Sequence, residues 1–418
     1  MTPKANLFPA RGSNGRAVNR RGFLAGTAVL AAGAVVLRSP DRSTAVAPAA
    51  GAKTYRAAVI GHTGRGDYGH GLDVVWADVH GVELVAVADA DPQGLAAAAK
   101  RLKVSKAYPD YRRMLDEVKP DLVSIATRWV DQHHDMLLAA VERGVRGVYM
   151  EKPLCRTLAE ADAMIAACQK HNVKAAIAFQ TRYSPKLPVI AELIRSGKIG
   201  QPMEFRARGK EDSRGGAEDL WVLGPHLMNL IELFGGKPLW CFGSVCEKGR
   251  PIRREDVKPG SEGASLLAGD EVHAMYRLAS GAAAYFDSVR NAGGGPRFAL
   301  WICGSKGIIE VTTNYLPQVF LLPDASWSVP RGKNKKWLAV TSAGLDKPEP
   351  IKDGTPHRGN VEAVQDLIAS IEKDRKPLAG ITDARTTLEM IVAVFESQRL
   401  GRPATFPLQN RNDPLAML

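Results

Sequence analysis

A glycine-rich turn between two short apolar runs constrains the fold of this 418-residue chain more than any other feature. The first run, Tyr55–Ile60, leads directly into Gly61–Gly66, and the second, Val82–Ala88, ends at Asp89. Asp89 stands 23 positions after Gly66. A buried strand, a glycine-rich turn, a helix, a second strand and a terminal acid form the arrangement that binds a dinucleotide. The sequence therefore predicts a dinucleotide-binding domain that begins near residue 53.

The turn departs from the GxGxxG pattern at its middle position, where Thr63 replaces the glycine that lets the backbone approach the phosphates. Gly64 beside it compensates, and the Thr63 hydroxyl is able to bind a phosphate. N–H groups at the start of the following helix are expected to face the pyrophosphate. The predicted cofactor residues of the turn are Gly61, Thr63, Gly64, Arg65 and Gly66.

Asp89 is expected to bind the ribose hydroxyls of the adenosine. Its carboxylate favours NAD over NADP, because it would repel a 2′-phosphate. The alternative is that Asp89 caps a helix, although the following Asp91-Pro92 is the better capping pair.

Strands and helices alternate beyond Asp89, which predicts a parallel, doubly wound (Rossmann) sheet in an α/β protein. Ligands bind at the carboxyl ends of such strands, where Thr127 and Glu151 are placed. The predicted strands are Asp121–Ala126, Gly147–Met150 and Lys174–Phe179, and the predicted helices are Asp131–Arg143 and Thr157–His171.

Glu151-Lys152-Pro153 follows the fifth strand, Thr127 ends the fourth, and His133 opens the next helix. Together with the glycine-rich turn, these residues resemble the Gfo/Idh/MocA oxidoreductase family, which includes glucose–fructose oxidoreductase and inositol dehydrogenases, over about residues 54–408. The resemblance implies that Thr127, Arg128, His133, Glu151 and Lys152 lie at the cofactor. Arg128-Trp129 stands where family members commonly have Pro-Asn.

Lys152 and His226 are the predicted catalytic residues. A lysine at the edge of the sheet can bond a substrate hydroxyl and favour its alkoxide, and a histidine can shuttle a proton. The family pattern places an acid on each side of His226, but this chain has Val222 and Asn229 there. The proton-relay partner is left open among the acids of the preceding segment, namely Asp219, Glu218, Asp212 and Glu211.

The second half of the chain predicts an α+β substrate domain with a large open, mostly antiparallel sheet, because strand-like runs follow one another without helices. Its predicted substrate residues are Arg182, Tyr183, Asp219 and Asn229. A helix to Ser196 precedes the sheet, and Asp324–His357 is expected to be a loop. The strand-like runs are Met203–Arg208, Leu239–Cys246, Val272–Leu278, Ala282–Val289, Phe298–Cys303 and Ile308–Val311, and helices are expected at Gly359–Asp374 and Thr382–Arg399.

Residues 1–50 carry seven basic side chains against one acid, which accounts for half of the net charge of +12. Arg20-Arg21-Gly22-Phe23-Leu24 precedes the uncharged run Ala25–Leu37 and resembles a twin-arginine export signal. We therefore expect three parts: a signal and linker (1–52), the Rossmann domain (53–180) and the C-terminal domain (181–418). The alternative is an uncleaved N-terminal anchor, although thirteen residues are too few for a stable membrane span.

The remaining charge requires no nucleic-acid partner. The five cysteines form no CxxC pair, which argues against a thiolate metal site. The predicted partners are a sugar or polyol substrate and, through the family resemblance, a second copy of the chain.

The sequence thus predicts an exported NAD(P)-dependent oxidoreductase of a sugar, cyclitol or related polyol. Because no free nicotinamide pool is expected outside the cytoplasm, its cofactor would stay bound and be recycled in place. One alternative is redox-neutral cleavage of a glycoside through a transient keto-sugar. Another is a sugar-binding protein that kept the fold and lost the chemistry.

Overall fold

The computed structural model describes residues 54–292, 297–326 and 336–418, which belong to one compact unit. The expected export signal lies outside the described residues. Within the described ranges, no helix combines the length and the apolar character needed to cross a membrane.

The N-terminal half of the described chain forms a six-stranded parallel sheet in the order β3-β2-β1-β4-β5-β6. This is the Rossmann architecture that the sequence predicts, with the strand order reversing between β1 and β4. The elements are β1 (Tyr55–Ile60), β2 (Val82–Ala88), α1 (Pro92–Leu102), β3 (Lys106–Tyr108), α2 (Tyr111–Val118), β4 (Leu122–Ile125), α3 (His133–Glu142), β5 (Gly147–Met150), α4 (Leu158–Lys170) and β6 (Lys174–Ile177).

Side-chain caps fix where two of these helices begin. The Asp91 carboxylate accepts a hydrogen bond from Gly94 N (2.6 Å) at the start of α1, and the Thr157 hydroxyl accepts one from Glu160 N (3.1 Å) at the start of α4. Such bonds satisfy N–H groups that have no partner inside a helix. Asp91, and not Asp89, is therefore the cap of α1.

The helix expected directly after the glycine-rich turn is absent, and the expectation was wrong. Residues 61–74 form a series of turns, followed by a single 3₁₀ turn at Val75–Asp78. Five residues in this stretch have a positive φ, which no right-handed helix accommodates. They are Gly64, Gly66, Asp67, Gly69 and Gly71. The turn therefore offers a ligand its own N–H groups without a helix N-terminus behind them.

The C-terminal half contains an eleven-stranded sheet in the order β18-β17-β16-β15-β14-β7-β13-β12-β8-β19, with β9 beside β8. Only the β7–β13 pair among these described strands is parallel, so the sheet is mostly antiparallel as predicted. The elements are α5 (Lys186–Arg195), β7 (Pro202–Arg208), α6 (Ala217–Val222), α7 (Gly224–Gly235), β8 (Pro238–Glu247), β9 (Arg250–Pro251), β10 (Lys258–Pro259), β11 (Leu266–Leu267), β12 (Glu271–Leu278), β13 (Ala283–Val289), β14 (Ala299–Gly304), β15 (Gly307–Thr312), β16 (Val319–Leu322), β17 (Leu338–Thr341), β18 (Gly344–Leu345), α8 (Pro356–Glu372), α9 (Ile381–Leu400) and β19 (Ala404–Thr405).

The segment 324–357 is not a loop throughout, because β17 and β18 extend the sheet at its edge. Both strands are short, and only two residue pairs join β17 to β16. Strands of four and two residues are too short to show a pattern from which they could be predicted.

One face of the large sheet is covered by α7 and α9. Burial alternates along β12 and β13 because successive side chains point to opposite faces. On the other face, a row of partly exposed side chains runs across neighbouring strands. In register it reads Phe242, Met275, Tyr285, Arg206 and Trp301.

Helix α8 packs against the Rossmann sheet although it belongs to the C-terminal half of the sequence. A Cβ placed on Gly147 of β5 would lie 2.7 Å from Ile371 and 3.4 Å from Leu367. Asn360, also on α8, is fully buried and accepts a hydrogen bond from the Tyr149 hydroxyl (2.7 Å). The cores on the two sides of residue 180 are therefore joined through this helix.

This packing predicts that Leu367→Ala destabilises the protein by about 2–5 kcal/mol, because a fully buried leucine leaves a cavity. Leu378→Ala is the matched control, since that side chain is 40 % exposed and its loss is expected to stay within about 0.5 kcal/mol. Urea unfolding of both variants measures the difference. Equal midpoints would contradict the packing described for α8.

Candidate active site

Glu151 follows β5 and is fully buried. Its Oε1 accepts hydrogen bonds from the backbone N of His70 (2.7 Å) and from the ring Nδ1 of the same residue (2.8 Å). Its Oε2 accepts one from Lys152 N (3.2 Å). Burial alone would raise the pKa of Glu151, but the bonds and charge of His70 and the charge of Lys152 outweigh it and lower that pKa. The carboxylate is therefore a fixed negative charge.

Lys152 is buried and donates from Nζ to the carbonyl oxygen of Val222 (3.0 Å). Burial lowers the pKa of Lys152, against the opposing charges of Glu151 and Glu262. The positive charges of Arg214 and Arg128 lower it further. Lys152 is thereby brought closer to the neutral amine that can accept a proton.

His226 lies in the first turn of α7, next to Phe179, whose ring meets it edge-on at 5.9 Å between centroids. Burial lowers the pKa of His226 to about 3, and the positive charges of Lys152 and His70 contribute. The ring is therefore neutral near pH 7. Its Nδ1 has no hydrogen-bond partner among the described residues.

None of the four acids considered as relay partners hydrogen-bonds to the His226 ring within the described part of the chain. Glu211 binds Arg208 and Arg297, and Asp212 binds Arg214. Glu218 accepts from the Ser261 hydroxyl. In the described chain, His226 is thus a neutral base that none of these four carboxylates orients through a hydrogen bond.

Asp219 is fully buried, and its hydrogen bonds come from groups other than arginine side chains. Its Oδ2 accepts from Glu211 N (3.0 Å) and from the Ser288 hydroxyl (2.7 Å). Burial raises the pKa of Asp219. The residue holds the segment 209–219 against β13, and its predicted contact with substrate stays a prediction.

His70 is a residue of this site that the sequence analysis missed. It follows Gly69, and a Cβ at Gly69 would lie 2.4 Å from the Ala126 carbonyl and 2.5 Å from Glu151 Oε1. The chain therefore passes directly over the ends of β4 and β5, which only a glycine permits here. A histidine flanked by Gly69 and Gly71, so soon after the turn, was the signal available in the sequence.

Thr127 and His133 hold the loops at the carboxyl ends of β4 and β5 together. The Thr127 hydroxyl donates to the Arg65 carbonyl (2.5 Å), which ties the glycine-rich turn to β4. The two ring nitrogens of buried His133 lie 2.8 Å from the Thr127 and Pro153 carbonyl oxygens. His133 thus positions the site through backbone atoms, and its contact with a cofactor stays a prediction.

The segment 258–267 reaches from the C-terminal half to the Rossmann loop after β4. Glu262 lies 4.0 Å from Arg128, and a Cβ on Gly263 would lie 2.5 Å from Asp131 Oδ1. Asp131 in turn binds Arg65 of the glycine-rich turn (2.5 Å). Charged groups of both halves therefore meet at the loop after β4, and the charges of Glu262 and Arg128 affect the pKa of Lys152.

Arg182, Tyr183 and Asn229 form internal contacts beside the site. Arg182 donates to Asn229 Oδ1 (3.2 Å) and to the Leu378 carbonyl (2.6 Å), and Asn229 donates to the Thr387 hydroxyl (3.3 Å). Tyr183 is buried, which raises the pKa of its hydroxyl. These bonds fix the junction of α7 and α9, and the expected substrate contacts of the three residues are not tested by them.

The site fits a nicotinamide dinucleotide at one end and is filled by the protein at the other. Near Lys152, the Nδ1 of His226 has no partner among the described residues, and the buried ammonium of Lys152 is a second polar group that a ligand could meet. A Cβ on Gly64 would meet nothing within 4 Å, so the turn is open there. At the far end, the Asp89 carboxylate is occupied by hydroxyl and N–H groups of the protein.

The depressed pKa of His226 predicts how stability changes with pH. Between pH 6.5 and about 3 the unfolded chain binds a proton at His226 that the folded protein does not, so acidification lowers the free energy of unfolding. His226→Gln removes this difference and should lose less stability from pH 6.5 to 4 than the wild type. Exposed His171 gives the control variant His171→Gln, and urea unfolding across this range makes the measurement. Parallel curves for His226→Gln and wild type would contradict the lowered pKa of His226.

Known proteins similar to this chain are dehydrogenases. The levoglucosan dehydrogenase of Pseudarthrobacter phenanthrenivorans is 27 % identical over 53 % of this chain and 63 % of its own length. The myo-inositol 2-dehydrogenase of Thermotoga maritima is 26 % identical over 54 % of this chain and 66 % of its own. The D-apiose dehydrogenase of Paraburkholderia graminis is 35 % identical, over 30 % of this chain and 33 % of its own. The matched stretches thus span from one third to two thirds of these relatives.

The fold is shared with solved structures. A levoglucosan dehydrogenase in complex with NADH and L-sorbose superposes with a TM-score of 0.68 at 20 % identity, over 85 % of this chain and all of that one. The family profile of the Gfo/Idh/MocA NAD-binding Rossmann fold matches residues 55–179, and that of the C-terminal alpha/beta domain matches residues 191–406. These two matches cover most of the sequence in the order that the structure requires, and the chain belongs to the Gfo/Idh/MocA oxidoreductase family.

Proposed function

We propose that this protein is an NAD-dependent oxidoreductase acting on a CH–OH group of a sugar, cyclitol or related polyol. The observation that carries the proposal is the buried Lys152, which follows β5 and donates from Nζ to the Val222 carbonyl. The ring of His226, four residues after Val222, is neutral, and the charge of Lys152 contributes to its low pKa. The named relatives act on levoglucosan, myo-inositol and D-apiose, which supports a polyhydroxylated substrate.

Bound NAD⁺ supplies a hydride acceptor for the carbon that carries the hydroxyl. The glycine-rich turn, Thr127 and Glu151 are the residues that would hold it. Lys152 accepts the hydroxyl proton at Nζ, which its lowered pKa favours. The resulting ammonium is stabilised by the fixed carboxylate of Glu151, and it polarises the forming carbonyl oxygen.

Charged side chains around Lys152 are suited to the other hydroxyls of such a substrate. Arg128 and Arg214 are donors, and Glu262 is an acceptor. The charges of all three affect the pKa of Lys152, which supports this assignment. The mixed signs suit a neutral polyol, since a hydroxyl both donates and accepts.

The finer parts of the proposal concern the cofactor and its location. We propose NAD rather than NADP, because Asp89 puts a negative charge at the end of β2. We propose further that residues 1–52 direct export, and that the nucleotide stays bound and is reduced and reoxidised within the protein. The twin arginines Arg20 and Arg21 before an uncharged run support export.

One observation favours redox-neutral glycoside cleavage as a second candidate. Oxidation of a sugar hydroxyl to a ketone acidifies the neighbouring C–H, and removal of that proton lets the glycosidic bond break. His226 is neutral and its Nδ1 has no partner in the described chain, so it can accept such a proton. Release of free sugar without net NADH would distinguish this reaction from plain oxidation.

Lys152→Met should lower kcat by about 10²- to 10⁴-fold, because the proton acceptor is lost. Lys186→Met is a matched control, since Lys186 is equally buried and donates to the Pro317 carbonyl (2.8 Å) away from the site. Steady-state turnover per folded molecule, with nucleotide content measured on the same samples, makes the comparison. An unchanged kcat in Lys152→Met would sink the proposed role and favour a non-catalytic sugar-binding protein.

The retained cofactor is tested on the full-length protein, purified from cells with residues 1–52 present. After denaturation, the supernatant should contain about one nicotinamide nucleotide per chain. Pairs of sugars and simple glycosides are then screened for products. A protein that carries no nucleotide and takes up none when it is offered would overturn the oxidoreductase proposal.

A further inference from the structure

The Asp89 carboxylate is almost completely buried and receives its hydrogen bonds from the protein itself. The Thr63 hydroxyl (2.7 Å) and the Tyr68 hydroxyl (2.8 Å) both donate to Oδ2. Asp91 N donates to Oδ1 (2.9 Å), and Thr63 N lies 3.1 Å from both oxygens. Two carboxylate oxygens accept about four bonds between them, so no acceptor position is left for a ligand.

Packing holds Tyr68 in this position. A Cβ on Gly61 would lie 2.2 Å from the Tyr68 ring, so the ring rests directly on the first glycine of the turn. The Arg101 guanidinium also lies 4.8 Å from the ring centroid and is bound to Asp73 (2.7 Å). Tyr68 therefore covers the end of β1 beside Asp89.

Thr63 is held with similar closeness. A Cβ on Gly94, in the first turn of α1, would lie 1.9 Å from the Thr63 hydroxyl oxygen. The hydroxyl is thus fitted between α1 and Asp89. Thr63 replaces the middle glycine of the GxGxxG pattern, so a side chain is present where that pattern provides none.

We propose that the hydroxyls of Thr63 and Tyr68 occupy the place on Asp89 that the ribose diol of the nucleotide would take, so that NAD binds only by displacing them. The inference rests on the proposed function, since it assumes a nicotinamide dinucleotide as ligand. The two hydroxyls on one oxygen match the number that a ribose offers. In the protein without nucleotide they satisfy the buried carboxylate, and they compete with the ligand when it arrives.

The competition has a measurable direction. Removing either hydroxyl releases an acceptor position on Asp89, so the nucleotide needs to break one bond fewer. Because a hydrogen bond to a charged group is a strong one, Thr63→Ala and Tyr68→Phe should each bind NADH at least about tenfold faster and about tenfold more tightly than the wild type. Tyr68→Phe keeps the ring that rests on Gly61 and changes only the hydroxyl.

The test is stopped-flow fluorescence of NADH added to full-length protein freed of nucleotide, with equilibrium titration on the same samples. Thr63→Ser keeps a hydroxyl at this position and should bind NADH with the rate and affinity of the wild type. Tyr285→Phe, on the open face of the large sheet, controls for the loss of a tyrosine hydroxyl elsewhere.

Wild-type rates and affinities in both Thr63→Ala and Tyr68→Phe would overturn the inference. Faster and tighter binding of NADH by both variants than by the wild type, which itself binds, would support it. Absence of binding in every variant would overturn it together with the proposed function. Faster binding in the variants without turnover of any sugar would support the inference while contradicting the proposed function.

Discussion

The buried carboxylate of Glu151 is the constraint on which the site depends. A negative charge without access to water requires close hydrogen-bond donors. Here the donors are His70, in the loop after β1, and the backbone N–H of Lys152, the residue after Glu151. His70 is placed over the strand ends because of it. Lys152 keeps part of its positive charge through it, against the effect of burial. Loop position and lysine chemistry therefore have one electrostatic origin.

The sequence predicted the elements that depend on local sequence, and it missed those that depend on contacts between distant parts of the chain. The strands β1, β2 and β5 have the predicted bounds, because each is a short apolar run bordered by turn residues. The helix after the glycine-rich turn does not form, because positive φ values at Gly66 and its neighbours are set by contacts with the β4 loop rather than by helix propensity. The attachment of α8 to β5 joins residues about 220 positions apart, which no local pattern can indicate.

The candidate site was predicted in the same uneven way. Lys152 and His226 were found from motifs, and the fold places the Lys152 ammonium on the Val222 carbonyl, four residues before His226. His70 was missed because its role depends on a loop path that follows from the glycines around it. The acids between Glu211 and Asp219 looked available in the sequence, yet arginines, two serines and backbone groups bind them, while Oδ1 of Asp219 has no partner among the described residues. Composition reveals charged groups, whereas availability is a property of packing.

The attachment of α8 also has a consequence for how the chain is made. During synthesis from the N-terminus, all six strands of the Rossmann sheet leave the ribosome long before Pro356–Glu372 does. Until then the apolar surface around Gly147 has no cover, and the nascent sheet exposes it to other proteins. Folding of the first half is thus completed by one of the last segments translated, so a chain interrupted before residue 356 would be a ready client for chaperones and proteases.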